Sequence, residues 1–461
     1  MNVTLSELML NVKDISMKQL VFQNEIKTDA DIDKYCEKGY RINLTEEQFK
    51  KKFELPVDCI AYTPSVSYEA IYFNRETLAA LSFPISLYMV EDDGMNSFGM
   101  DIDKFYQAVK SIEKEVENGD YITSISSLPD RMRMEYFDIL IQRGIDFPDF
   151  YEKFYSFYIM SDYGFSALSA NTLEKIAAKK TEKDWQRTRE CLKSLPDTVT
   201  IYRGQAKLST LLERAYSWTV DKNIACFFAS RMGTDDAEIV EARVSKDKIL
   251  EYDISSNEKE VWVKFEDIEI VNRTQLYGLD KLQELLPQIE DTYNIYKKKL
   301  SKLNFVTDIE GVHGKAHTLR VLLLCLLLAK QMGLSIKKTE LLATAAIYHD
   351  TCRQHDGVDV VHGYDAMQYY KENVRRPNPI IEFLIEYHAI DDRFGYRELN
   401  NNPDLLDRVE EVKQLFEIFK DADALDRVRF GIFQLDLGYL RTEEAKHFPL
   451  IARICCDNVK V

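Results

Sequence analysis

AAIYHDT, residues 345–351, ends an apolar helical run on an adjacent histidine and aspartate. On a 3.6-residue period His349 shares a face with Leu342, Ala345 and Ala346, so its imidazole points into the apolar side of its helix. The polar stretch Thr351–Asp356 ends the helix there, which lets His349 and Asp350 both reach one ion. The same test applied outward gives a pattern. In GKAHTLRV (314–321), His317 aligns with Val321, Leu324 and Leu328. His388 aligns with Ile381, Leu384 and Ile385. In FKDADALDRVR (419–429), Asp423 aligns with Phe416, Phe419 and Phe430, while Asp421 falls on the opposite side and is expected to face outward. Imidazoles and two carboxylates thus converge in an apolar interior. An inward carboxylate is costly unless paired or bound to a metal. A mixed imidazole–carboxylate set suits Mn, Fe, Zn, Ni or Co better than Ca. The alternative is a helical bundle whose core histidines are simply hydrogen-bonded.

Working outward, everything from about residue 306 reads as helix, with loops near Arg353–Val360 and Phe394–Pro403. Leu282–Leu303 reads as a charged connecting helix. Between Thr198 and Asn272 the runs TVTIYRG, EIVEARV, EVWVKF and IEIV alternate as strands of a mostly antiparallel sheet. Residues 116–195 read as helical, with Phe/Tyr-rich pieces such as Phe147–Met160. Residues 1–115 mix short helices with strand-like Cys59–Thr63 and Ile85–Val90 and carry no chemical motif. The fold class is a multidomain α+β chain: an N-terminal α/β module (1–115), a mixed α+β domain with antiparallel sheets (116–281), a helical linker (282–305) and an all-α bundle (306–461).

The bulk properties agree. A chain of 461 residues exceeds what one core usually organises. Its net charge of −17 argues against a broad nucleic-acid-coating surface. No basic-then-apolar leader opens the chain, and the run Val321–Ala329 is too short to span a bilayer, so no membrane role is expected. Eight cysteines without CxxC pairs fit reduced thiols in a cytoplasmic protein.

The motifs around His317, His349–Asp350 and Asp423 resemble the HD-domain phosphohydrolases over about residues 306–461. The resemblance implies metal ligation by His317, His349, Asp350 and Asp423. His362 in VHGYDA and His388 in IEYHAI fall where two-metal members place further ligands, so one or two divalent transition-metal ions are implied. Arg320 (as a catalytic residue) and Arg427 are candidates for substrate phosphate, because guanidinium pairs bidentately with phosphate oxygens. His313 is an extra ligand or a wall residue. His355 and His447 lack such support and are expected at the surface. The implied substrate is phosphorylated or a nucleotide.

A second constellation lies upstream. Val199, Ile201 and Arg203 share one side of a strand; Ser217 follows; Asp221 can cap a helix carrying Ile224, Ala225 and Phe228. If NEKEVWVKF is extended, Glu258, Glu260 and Trp262 project together. Tyr202-Arg203-Gly204, Ser217-Trp218-Thr219 and Glu258-Lys259-Glu260 resemble the Arg–Ser–Glu type of ADP-ribosyltransferase over roughly residues 120–275. The resemblance implies NAD bound by Tyr202, Arg203, Gly204, Ser217, Trp218 and Thr219. Glu260 would stabilise the developing oxocarbenium charge and Glu258 would orient an acceptor on a protein or nucleic acid. Together the two resemblances imply a bifunctional enzyme: an NAD-dependent transferase joined to a metal-dependent phosphohydrolase or phosphodiesterase, in the manner of a bacterial or phage effector, toxin or defence protein. The alternative is a nucleotide phosphohydrolase regulated by a non-catalytic module that senses NAD or a nucleotide.

Overall fold

The computed structural model describes residues 17–64, 69–84, 102–161, 164–207, 209–231, 233–254, 257–306, 313–355, 357, 359–431 and 434–458. The expected strand Ile85–Val90 lies outside them. Contacts group the chain into two compact units, Ser6–Glu190 and Cys191–Val461.

The first unit holds a four-stranded antiparallel sheet in the order β1 (Val21–Phe22), β2 (Ile60–Tyr62), β3 (Glu69–Phe73), β4 (Ala80–Pro84). With it go helices α1 (Asp29–Cys36), α2 (Glu46–Lys52), α3 (Ile102–Glu117), α4 (Ile122–Ser127), α5 (Asp130–Gln142), α6 (Phe150–Met160), α7 (Ala170–Ala177) and most of α8 (Glu182–Leu192). The aromatic-rich stretch becomes α6: Phe154 meets Phe137 of α5 edge-on at 5.0 Å, the arrangement that ring quadrupoles prefer.

The second unit joins a sheet to a helical bundle. The sheet pairs its strands antiparallel and is built from β5 (Thr198–Gln205), β6 (Ser217–Thr219), β7 (Ala237–Ser245), β8 (Glu251–Tyr252), β9 (Glu260–Trp262) and β10 (Ile268–Leu276) in the order β10-β7-β5-β6-β9-β8. The alternating runs of the sequence are β5, β7, β9 and β10. Helix α9 (Lys222–Arg231) crosses β5 so closely that a Cβ on Gly204 would lie 2.1 Å from the Ala225 carbonyl oxygen. The glycine of the YRG stretch is therefore required for helix–sheet packing. NEKEVWVKF is not extended throughout. Lys259 takes the left-handed conformation (φ 47), so Glu258 sits in a turn and only Glu260 begins the strand.

The bundle comprises α10 (Leu279–Leu300), α11 (Lys315–Gln331), α12 (Ile336–Tyr348), α13 (His362–Asn373), α14 (Pro379–Tyr387), α15 (Asp392–Asn401), α16 (Val409–Leu425) and α17 (Pro449–Asn458). Every residue of α11 from His317 to Ala329 is buried, as expected of a central helix that is apolar all round. The expected connecting helix is α10, which buries Leu282, Leu285, Ile289, Tyr296 and Leu300 in the same core. The expected loop Phe394–Pro403 is largely α15. Asp391 caps it through the Arg393 N–H, a start signal outweighed in the sequence by Gly395 and the Asn-rich end. Residues of α9, β7 and β10 (Ala225, Ala229, Ile239, Leu276) share one hydrophobic core with the bundle. No described helix is long and apolar enough to cross a membrane. The chain is thus mixed α+β, with antiparallel sheets before a helical C-terminal region.

Candidate metal centre

The site forms at one end of the bundle, where helices stop. His349 is the C-cap of α12 and Asp350 follows it. His388 is the C-cap of α14, a helix started by the Asn378 side chain on the Ile380 N–H with Pro379 in its first turn. His362 opens α13, where Asp359 accepts from the Val361 and His362 N–H groups. His317 lies in the first turn of α11 and Asp423 in the last turn of α16. His317, His349, Asp350, His362 and His388 are all at most 5% exposed, whereas the Asp423 side chain keeps 35% of its surface open. Asp423 is thus the most exposed of the six.

All four imidazoles have Nδ1 engaged. His317 Nδ1 lies 2.7 Å from Asp426 Oδ2, His349 Nδ1 2.8 Å from the Ala346 carbonyl, His362 Nδ1 2.5 Å from the Asp359 carbonyl and His388 Nδ1 2.7 Å from the Ile385 carbonyl. Each acceptor requires a proton on Nδ1, which leaves Nε2 with its lone pair directed inward. Those Nε2 atoms converge: 3.3 Å between His317 and His349, 3.0 Å between His362 and His388. Lone pairs facing one another at these distances need a cation between them.

The carboxylates complete two half-sites. Asp350 Oδ2 lies 3.4 Å from His317 Nε2 and 3.7 Å from His349 Nε2; its Oδ1 lies 3.1 Å from His362 Nε2 and 3.7 Å from His388 Nε2. Asp423 Oδ1 is 3.3 Å from His317 Nε2. The ligand atoms of His317, His349 and Asp423 lie within 4.8 Å of one another, as do those of His349, Asp350 and His388. Asp350 Oδ1 is buried and accepts no well-aligned hydrogen bond, the state of an oxygen awaiting a metal. The donor set fits a transition-metal ion.

Electrostatics point the same way. Burial alone would depress the His317 pKa; the Asp350, Asp423 and Asp426 carboxylates outweigh it and hold it at about 10. Without a metal, a proton on His317 thus serves as the cation. Burial pushes His349 down to about 4, keeping it a neutral donor. Burial would raise Asp350 and Asp423, but the surrounding imidazoles hold both well below the usual carboxylate range.

Several positions differ from the sequence reading. Asp421 is fully buried on the far side of α16, where it accepts from the Arg441 and Thr442 backbone N–H groups and from the Thr442 hydroxyl. The helix is covered on both sides, so the opposite face is not outward. Phe430 lies past the end of α16 and is 44% exposed. His355 is exposed, whereas His447 is partly buried, with Nδ1 2.5 Å from the Gln275 carbonyl and its ring stacked on Tyr277. Arg320 forms a bidentate pair with Asp426, at 2.6 and 3.1 Å; Arg427 is exposed and bonds the Gln434 carbonyl. His313 stands edge-on to His317 with centroids 5.6 Å apart. Asp426 and Arg353 were missed. Asp426 lies one turn beyond Asp423, so the inward-face test already contained it; Arg353 lies in a loop, where periodicity is silent.

Upstream, Arg203 Nη1 donates to the Ser217 carbonyl at 2.5 Å, and the Thr219 hydroxyl donates to the Glu258 carbonyl at 2.7 Å. Trp218 is 2% exposed among Val199, Ile201, Val240 and Val261, because the strand pleat sends it to the face opposite Ser217 and Thr219.

No curated protein and no solved structure matches the chain. A family match that stops short of the sheet carrying Arg203, Ser217 and Glu260 covers the bundle: residues 315–428, which contain all six converging ligands, match the HD domain.

Proposed function

We propose that this chain is a metal-dependent phosphohydrolase that acts on a phosphorylated or nucleotide substrate at the HD centre. The observation that carries this is the convergence of four Nδ1-engaged imidazoles on two carboxylates. A divalent transition ion bound there supplies Lewis acidity, activating water near neutral pH and neutralising charge on phosphoryl oxygens. The chain's own residues do the rest. Asp426 fixes the His317 ring and its tautomer, Asp350 presents one oxygen to each half-site, and the partly open Asp423 leaves one approach for substrate. The test is elemental analysis of purified protein with assays on phosphomonoester, phosphodiester and nucleoside triphosphate substrates. Hydrolysis should require metal and vanish in His349→Ala/Asp350→Ala. Protein that takes up no transition metal and hydrolyses none of these refutes the proposal.

A second activity is proposed for residues 116–281: NAD-dependent ADP-ribosyl transfer to a macromolecular target. It is favoured by strand order. Tyr202 pairs with Thr219 and Thr219 with Glu260, which brings the YRG and S-x-T stretches and the last glutamate of E-x-E onto three neighbouring strands. Glu260→Ala should abolish nicotinamide release from NAD. NAD binding without turnover by the native chain would favour a sensing module that regulates the hydrolase.

A further inference from the structure

The two half-sites are not equivalent in charge. The half formed by His317, His349 and Asp423 has a carboxylate of its own besides its share of Asp350, and Asp426 lies behind His317. Among the described residues, the half formed by His362 and His388 has one carboxylate oxygen in close contact, Asp350 Oδ1, at 3.1 and 3.7 Å. Arg353 stands at the edge of that second half. Its guanidinium is clamped from behind: Nε donates to the His355 carbonyl at 3.1 Å and Nη2 to the Gly357 carbonyl at 2.8 Å. The clamp aims Nη1 into the cluster, 3.8 Å from Asp350 Oδ1 and 3.5 Å from His362 Nε2. The side chain is 13% exposed, so water screens this charge poorly.

A dication in the second half would therefore meet one shared carboxylate oxygen and a fixed like charge that stands 3.5 and 3.8 Å from two of that half's own ligand atoms, close enough for poorly screened repulsion to be strong. We propose that Arg353 makes the centre unequal: one ion is held tightly by His317, His349, Asp350 and Asp423, and a second ion enters the His362–His388 half only weakly. This rests on the reading that the cluster binds metal. Arg353 touches the site but contributes no ligand atom, so its effect is on how many ions are held and how firmly.

The test is Mn²⁺ titration of metal-free full-length protein, followed by calorimetry and by the electron paramagnetic resonance signal of free Mn²⁺. The native chain should bind one equivalent tightly and a second at least about tenfold more weakly. Arg353→Gln should tighten the second equivalent at least about tenfold and leave the first within about threefold, which also reports that the variant is folded. Arg353→Lys keeps the charge and loses the clamp; it should keep the second equivalent weak. Two equally tight ions in the native chain would overturn the proposal. So would a second equivalent unchanged or weakened in Arg353→Gln, or Lys and Gln variants that behave alike, since the loop clamp would then be the cause. Absence of any Mn²⁺ binding in all three proteins would instead remove the metal reading itself.

Discussion

His362 Nε2 stands 3.0 Å from His388 Nε2, although the two side chains come from the start of one helix and the end of another. Gly363 makes this approach possible. A Cβ there would lie 2.6 Å from the Glu386 carbonyl oxygen and 2.9 Å from that of Ile385. Gly363→Ala must push α13 away from α14, at a cost of about 1–3 kcal/mol for overpacking. The expected result is loss of the second metal equivalent with the first retained, together with a lower melting temperature. A variant that titrates like the native chain would mean that the helix spacing does not set this half of the centre.

Asp426 is the hub behind His317. It is fully buried and accepts from His317 Nδ1, from Arg320 through Nε and Nη2, and from Arg429 Nη1. Burial would raise its carboxyl pKa, but His317 and Arg320 hold it below the usual value, so it remains an anion that orients the ring. Asp426→Asn is expected to weaken binding of the first ion about 10–100-fold. It should also destabilise the fold by about 3–5 kcal/mol, because two guanidinium groups lose their buried carboxylate. Chelator competition separates the two effects: a destabilised variant with unchanged metal affinity would show the hub to be structural only.

What the sequence disclosed and what it withheld divide along periodicity. His317, His349, His388 and Asp423 each repeat the apolar spacing of their helices, so their convergence was visible one helix at a time. Asp421 escaped because a period tells which residues lie opposite one another and not whether a second layer covers the far side. That layer is the segment around Arg441, which pairs with Asp392 and Asp421. Arg353 and the turn at Lys259 escaped for a different reason. Both depend on single backbone conformations in irregular segments, where no neighbouring residue repeats the signal.

Metal uptake should expel a proton. The His317 pKa is raised from 6.5 to about 10 in the metal-free fold, chiefly by carboxylates that overcome its desolvation. The sign follows. A raised folded pKa contributes stability that is fully present below about pH 6.5 and is lost as pH rises through about 10. Between these limits His317 carries a proton that a metal must displace. About one proton per first ion is therefore expected at pH 7–9, with apparent affinity rising about tenfold per pH unit. Calorimetry in two buffers of different ionisation enthalpy reads the proton directly. Binding enthalpies independent of buffer would show that His317 is already neutral.

The sheet should be needed for the metal centre to form. The Asn223 side chain, on α9, donates to Asp436 Oδ1 at 3.0 Å and accepts from the Leu437 N–H at 2.9 Å. The Tyr277 N–H donates to the His447 carbonyl at 2.8 Å. The segment held by these contacts then supplies Arg441 and Thr442 to Asp421, two residues before Asp423. A fragment of residues 306–461 would lose these bonds and expose the apolar surface that α9, β7 and β10 cover. It is expected to aggregate or to melt without a cooperative transition, whereas residues 191–461 should melt as one unit. Asn223→Ala in the full chain is a milder version, expected to cost about 0.5–1.5 kcal/mol because it removes two hydrogen bonds that are exposed or only partly buried. If the 306–461 fragment were monomeric, melted cooperatively and bound metal as tightly as the full chain, the sheet and the bundle would be independent, and the path from Asn223 to Asp423 would carry no structural weight.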